Sequence, residues 1–202
     1  MNRSATVEYF RVSSPLRREL PIVEQIVPGT VCATCDVCCR FPEMDSLLRP
    51  YFTRDEIKAA ISAGVPEDVF PDSAGSKISV VPDVGNGDGY RCPAFDSATG
   101  RCGIYESRPL DCRLYPVAVM WDRDHTGVVA GWDIKCPFIL DTLDGLESHA
   151  YLARILTMLE KQEVACTFVA NPQLIGAFQE DVLVLSPLER ITQGLRALQS
   201  GS

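Results

Sequence analysis

Cys32-Ala-Thr-Cys35-Asp-Val-Cys38-Cys39 places four thiols within eight residues, and the rest of the chain is read outward from it. Two residues between thiols let a loop wrap its sulfurs around one centre. C-x2-C-x2-C is the spacing of ferredoxin-type iron-sulfur ligation, and zinc accepts the first pair equally well. Successive side chains in extended backbone diverge. Cys38 and Cys39 therefore either serve two sites or leave one thiol bridging or uncoordinated.

Four more cysteines follow at Cys92, Cys102, Cys112 and Cys136, two of them in Cys-Pro pairs, Cys92-Pro93 and Cys136-Pro137. Proline holds the residue before it extended, and ferredoxin-type runs also end in Cys-Pro. Eight thiols are enough for two four-ligand sites, and soft thiolates favour iron-sulfur or zinc over calcium, magnesium or manganese. The ninth cysteine, Cys166, falls at an apolar helix end, where a buried, inert thiol is expected. Arg108 and Arg113 lie on either side of Cys112. Their guanidinium groups suit an anionic thiolate cluster, and salt bridges to Glu106 or Asp111 suit them equally well. Tyr105 and Tyr115 are placed to shield such a site or simply to pack. Neither His125, in a turn, nor His149, on a helix face, has a partner at ligand spacing.

The chain of 202 residues carries 19 basic and 27 acidic side chains, a formal net charge of -8, so it has no cationic surface for nucleic acid or anionic lipid. Residues 1–30 contain Arg3, Glu8, Arg11, Arg17, Arg18 and Glu19 and no unbroken apolar run of the kind export signals use. Leu114–Trp121, interrupted by Pro116, is far shorter than the roughly 20 residues of a membrane span. A reducing, cytoplasmic setting is expected, in which cysteines serve as metal ligands or redox groups and no complete disulfide framework forms from an odd count. There is no G-x-S-x-G elbow, Walker A loop or dinucleotide fingerprint. Gly85-Asn-Gly-Asp-Gly89 lacks the following Lys-Ser/Thr and reads as a loop.

The expected fold is α+β: a small, irregular, cysteine-rich metal-binding core with a β-hairpin, packed against C-terminal helices. The chain is read as a single domain over 1–202, with a cysteine-cluster region at 30–140 and a helical extension at 141–202. An N-terminal arm, 1–30, is expected to pack across the core. Thr53-Arg-Asp-Glu56 predicts a capped helix ending at Gly64, Lys77–Val81 a strand, and Val117–Trp121 with Val128–Trp132 a hairpin bringing Cys112 and Cys136 together. Helices are predicted over 144–165, after Asn171-Pro172, and over 187–199 with Ser186 as N-cap, Pro187 at N1 and Glu189 at N3.

CATCDVCC at 32–39, CPAF at 92, CGIYESRPLDCRLYP at 102–116 and CP at 136 together resemble the YkgJ-type cysteine-cluster proteins, a family of zinc- or iron-chelating CxxCxxCC domains. The resemblance implies metal ligation at the eight matched cysteines and no settled reaction. A flagellin lysine N-methylase looks like a relative with a similar cysteine domain, which implies a cluster-dependent, protein-modifying enzyme as one alternative; no methyl-donor motif accompanies it here. A structural zinc module for protein interaction is the other. The leading expectation is an iron-sulfur protein, with a 4Fe-4S cluster, in electron transfer, redox sensing or support of a protein partner.

Overall fold

The computed structural model describes residues 25–32, 35, 37–84 and 89–200. Most of the N-terminal arm, and residues 85–88 of the glycine-rich loop, lie outside the described residues. In chain order the elements are α1 (Gly29–Cys32), β1 (Arg40–Phe41), β2 (Tyr51–Thr53), α2 (Arg54–Ser62), β3 (Gly75–Lys77), β4 (Val81–Pro82), β5 (Tyr90–Arg91), β6 (Phe95–Asp96), β7 (Arg101–Cys102) and α3 (Leu110–Leu114). They continue with β8 (Val117–Trp121), β9 (Val128–Asp133), α4 (Pro137–Thr142), α5 (Leu146–Leu159), α6 (Gln162–Ala170), β10 (Val182–Pro187) and α7 (Glu189–Ser200). The fold is α+β, as the sequence implies, with every strand pair antiparallel.

Two compact units divide the described residues: one takes 25–116 together with Ile134–Leu143, the other Val117–Asp133 and 144–200. The hairpin is thus grouped with the C-terminal elements, although chain order alone places it among the cysteines.

In the first unit the capping box forms as its residues require. Glu56 Oε2 accepts the Thr53 N–H at 2.9 Å and the Thr53 hydroxyl at 2.8 Å. Ile57 and Ala60 of α2 are buried, and Gly64 follows the helix end at φ +100, a conformation glycine adopts without a Cβ penalty. The predicted strand at Lys77–Val81 is interrupted. Ile78 donates its N–H to Pro50 O and Ser79 to Val69 O, so the ladder breaks after Lys77 and a new strand begins at Val81, pairing with β5. The sheet β1-β5-β4 and the pairs β2-β3 and β6-β7 are two or three residues deep, and the apolar cluster between them includes Phe41, Phe52, Ile57, Ile78, Phe95 and Ile104. Asp83, closed into its loop by its N–H to Gly89 O at 2.9 Å, receives Arg40 at 3.3 Å and Arg91 at 3.6 Å.

In the second unit the predicted hairpin forms with Val117 opposite Trp132 and Trp121 opposite Val128, and the turn closes through Asp122, which accepts the Thr126 N–H at 2.7 Å. Three differences from the sequence reading stand out here. The helix expected over 144–165 is two helices, because Lys161 turns extended (φ -69, ψ 142) and opens α6. Asn171-Pro172 opens a single 3-10 turn, Pro172–Leu174. Ser186 and Pro187 are not helical: they end β10, a strand absent from the sequence reading, opposite Ala130 and Val129, and α7 begins at Glu189. On its apolar stripe Leu188, Ile191 and Leu195 are buried, whereas Leu198 is exposed.

β9 is buried along its whole length, and Gly131 is where β10 approaches most closely. A Cβ there would stand 2.5 Å from Val182 Cγ1 and 2.7 Å from Leu183 O. Gly131→Ala is therefore expected to destabilise this unit by about 1–3 kcal/mol in urea unfolding, while Gly29→Ala, with open space at its Cβ, costs nothing measurable.

Candidate metal centre

All eight patterned cysteines fall in the first unit, and Cys166 and both histidines fall in the second. Short backbone ladders position three of the thiols. Cys39 immediately precedes β1, and its carbonyl accepts the Cys92 N–H at 2.9 Å, adding one rung to the Arg40–Arg91 pairing. The chain then turns through Pro93, with Phe95 N–H on Cys92 O, into the β6-β7 pair, where Cys102 lies opposite Phe95. Cys39, Cys92 and Cys102 accordingly belong to one apolar cluster with Phe41, Phe95 and Ile104.

Cys112 rides on α3, whose start is pinned from a distance. Glu56 Oε1 accepts the Leu110 N–H at 2.6 Å, and Asp111 Oδ2 accepts the Tyr51 N–H at 2.8 Å. The Asp111 carboxyl lies inside although the residue is only half-buried, and burial lifts its pKa to about 6 against the pull of the Tyr51 N–H and of Lys77. Cys35 donates its N–H to Cys32 O at 3.2 Å, which ties it to the end of α1. Cys136 is extended (φ -70, ψ 110) at the N-cap of α4 with Pro137 behind it, as Cys-Pro requires.

Burial and mutual charge hold most of these thiols protonated. Burial first, then the charges of Cys39, Cys136 and Cys35, raise Cys32 to about 11. Burial pushes Cys92 up to about 12 and also raises Cys102 and Cys112. Cys39 moves the other way, because Cys38 donates a hydrogen bond to it and Arg40 and Arg108 stand nearby; the same bond raises Cys38. A metal must displace these protons, and the donor set suits one that does: thiols alone, in a largely buried apolar setting, fit zinc or an iron-sulfur cluster and not a hard cation. Among the described residues no three thiol, imidazole or carboxylate groups are closed into a ligand shell, so the sulfurs are grouped by neighbourhood.

The two arginines separate. The Arg108 guanidinium lies 3.8 Å over the Tyr105 ring, donates through Nη1 to Gln25 Oε1, and favours the charged forms of Cys32, Cys39 and Cys102. Its Nε is buried with no hydrogen-bond partner among the described residues. Gln25 in turn donates to Tyr115 O at 3.1 Å. Arg113 instead pairs with Glu56 at 3.5 Å, a partner 57 residues away, and not with Glu106 or Asp111. Tyr105 is exposed, so it supports Arg108 more than it shields thiols. Arg40 and Gln25 are absent from the sequence reading, and Glu56 enters it only as a helix cap; of the first two only Arg40, directly after Cys39, carries a local signal. His125 is exposed and stacks on Trp121 at 4.1 Å, and His149 is exposed. Cys166 is half-buried, less than expected, and its Sγ accepts Gln162 Nε2 at 3.3 Å.

Residues 31–139, more than half of the chain and the whole of the cysteine pattern, match the family CxxCxxCC, described as "Putative zinc- or iron-chelating domain". The chain belongs to the CxxCxxCC family. Metal chelation by zinc or iron is thus the property its family is described by, and the match ends at residue 139, within α4. No curated protein and no solved structure matched the chain.

Within this CxxCxxCC domain Glu56 joins the cap of α2 to the start of the helix that carries Cys112. Glu56→Ala removes four bonds at a side chain only 13% exposed and is expected to lower stability by about 2–4 kcal/mol in urea unfolding. Lys58→Ala, which breaks an exposed pair with Asp55, is expected to change it by less than about 0.5 kcal/mol.

Proposed function

We propose that the protein carries iron-sulfur, with Cys32, Cys35, Cys38, Cys39, Cys92, Cys102, Cys112 and Cys136 as ligands, and serves electron transfer or redox support of a protein partner. The observation that carries this reading is the gathering of eight thiols in one unit, with Arg108 held against their charge and no histidine in that unit. Such a cluster, when bound, supplies one-electron chemistry at a potential set by net charge, hydrogen bonds to sulfur and exposure. The chain's own residues set those terms: the apolar cluster around Cys39, Cys92 and Cys102 limits water, and Arg108, fixed by Gln25 and Tyr105, offsets negative charge. None of the nine cysteines is in a disulfide, which suits a reducing compartment such as the cytoplasm. Among the described residues no helix is long and apolar enough to cross a membrane. The net charge of -8 argues against nucleic acid as a partner.

One observation favours a second reading. The strands beside the cysteines are two or three residues long, so zinc serving only to staple loops would also account for the ligands. Metal analysis with visible and EPR spectra of anaerobically prepared protein separates the two. The iron-sulfur reading expects brown protein with iron and acid-labile sulfide in equal amounts; colourless protein with stoichiometric zinc overturns it. Cys112→Ser is expected to lower the metal content while Cys166→Ser keeps it in full, and equal contents would contradict the ligand assignment. Arg108→Gln removes a positive charge beside the thiols and is expected to make the reduction potential more negative, more so than Arg113→Gln.

A further inference from the structure

Arg40 directly follows Cys39, Arg91 directly precedes Cys92, and the two arginines stand opposite each other in the β1-β5 pair. The Cys92 N–H on Cys39 O at 2.9 Å makes the two cysteines the next, hydrogen-bonded rung. Arg40 and Arg91 are therefore a non-hydrogen-bonded pair, the kind in which facing side chains approach most closely. Like charges directly opposite on neighbouring strands repel. Asp83, just past the end of β4, stands against both: its Oδ2 lies 3.3 Å from Arg40 Nε and its Oδ1 3.6 Å from Arg91 Nε, and its side chain is 4% exposed. Ser97 Oγ also donates to Oδ1, at 3.3 Å.

The arginines carry this contact further along the ladder. Arg91 Nη1 donates to Phe95 O at 2.8 Å, and Phe95 stands opposite Cys102 in the β6-β7 pair. The Arg40 guanidinium lies 4.8 Å over the Phe95 ring. Through two guanidinium groups, one buried carboxylate thus fixes the residue after Cys39, the residue before Cys92 and the residue facing Cys102. The three cysteines, with Phe41 and Tyr90, belong to the apolar cluster, so Asp83 acts on the thiols through the arginines. Partners that orient metal ligands in this indirect way typically account for about 10–100-fold in metal affinity.

We propose that Asp83 is a positioning residue for metal binding: by neutralising the Arg40–Arg91 pair it holds Cys39, Cys92 and Cys102 where a metal can take them. This role rests on the metal-carrying reading above. It holds for zinc and for an iron-sulfur cluster alike, and however the thiols are shared among centres.

Chelator competition on the full chain, purified anaerobically with its metal, tests it, with ferrozine as the chelator for iron or pyridylazoresorcinol for zinc. Asp83→Asn keeps the shape of the side chain and leaves two guanidinium groups facing across the rung. It is expected to lose half its metal at a chelator concentration about 10–100-fold below that of the wild type, with a changed thiolate-to-metal absorption band. Asp83→Glu restores the charge and is expected to recover part of both. Ile57→Val and Ile57→Ala, which open cavities in the same apolar cluster without removing a bond to Asp83, show how much metal is lost through lower stability alone, the band unchanged. Arg91→Gln leaves Arg40 and Asp83 as a neutral pair and removes the bond to Phe95 O; it is expected to weaken retention by a smaller factor, and it decides the matter should Asp83→Asn fail to fold. Wild-type retention in these charge variants, or a loss no greater than the Ile57 variants show at equal stability, overturns the positioning role and leaves metal carriage standing. Wild-type protein without any metal overturns both.

Discussion

Eight thiols are packed into a unit whose strands are only two or three residues long, and the rest of that unit answers to this constraint. Ladders of that depth contribute few backbone hydrogen bonds, and a small apolar cluster alone supplies limited stability. The missing cross-links lie in side chains and backbone contacts between distant segments. Glu56 reaches Leu110, Asp111 reaches Tyr51, and Asp83 receives Arg40 and Arg91. Each of these contacts fixes a segment next to a cysteine. Without metal the buried thiols stay protonated; under the proposed ligand set a bound metal would tie the same loops together, and its binding free energy would be folding free energy.

Electrostatics gives the centre a direction. Burial opposes thiolate formation at Cys32, Cys92, Cys102 and Cys112, while guanidinium groups and the Cys38 hydrogen bond favour it at Cys39. Arg108 favours charge on Cys32, Cys39 and Cys102. Its position depends on Gln25, which also donates to Tyr115 O, and on Tyr105. The second unit, a three-stranded antiparallel sheet with helices and with β9 buried along its length, carries neither patterned cysteine nor ligand-type cluster among the described residues.

The family and its zinc- or iron-chelating character were legible in the sequence, because thiol spacing and the two Cys-Pro pairs are local signals. So were the Thr53–Glu56 cap and the hairpin around Asp122, whose determinants lie within a few residues of one another. What escaped depends on distant partners. Arg108 and Arg113 look equivalent beside Cys112, and Glu56, far back in the chain, separates them. Ser186-Pro187 carries a helix-start signal, yet pairing with Val129 and Ala130 keeps both residues in a strand. The break at Lys161 has no glycine or proline to announce it. The helix prediction over 144–165 ran through it because the apolar periodicity nearly continues across the turn.

The central claim is that sulfur alone holds the metal in this chain. Metal K-edge X-ray absorption on anaerobically prepared protein tests it most directly. The account predicts an inner coordination sphere of cysteine sulfur, with or without inorganic sulfide, at about 2.3 Å and no nitrogen or oxygen ligand. A sphere containing imidazole or carboxylate would contradict it, since the unit that carries the eight cysteines holds no histidine.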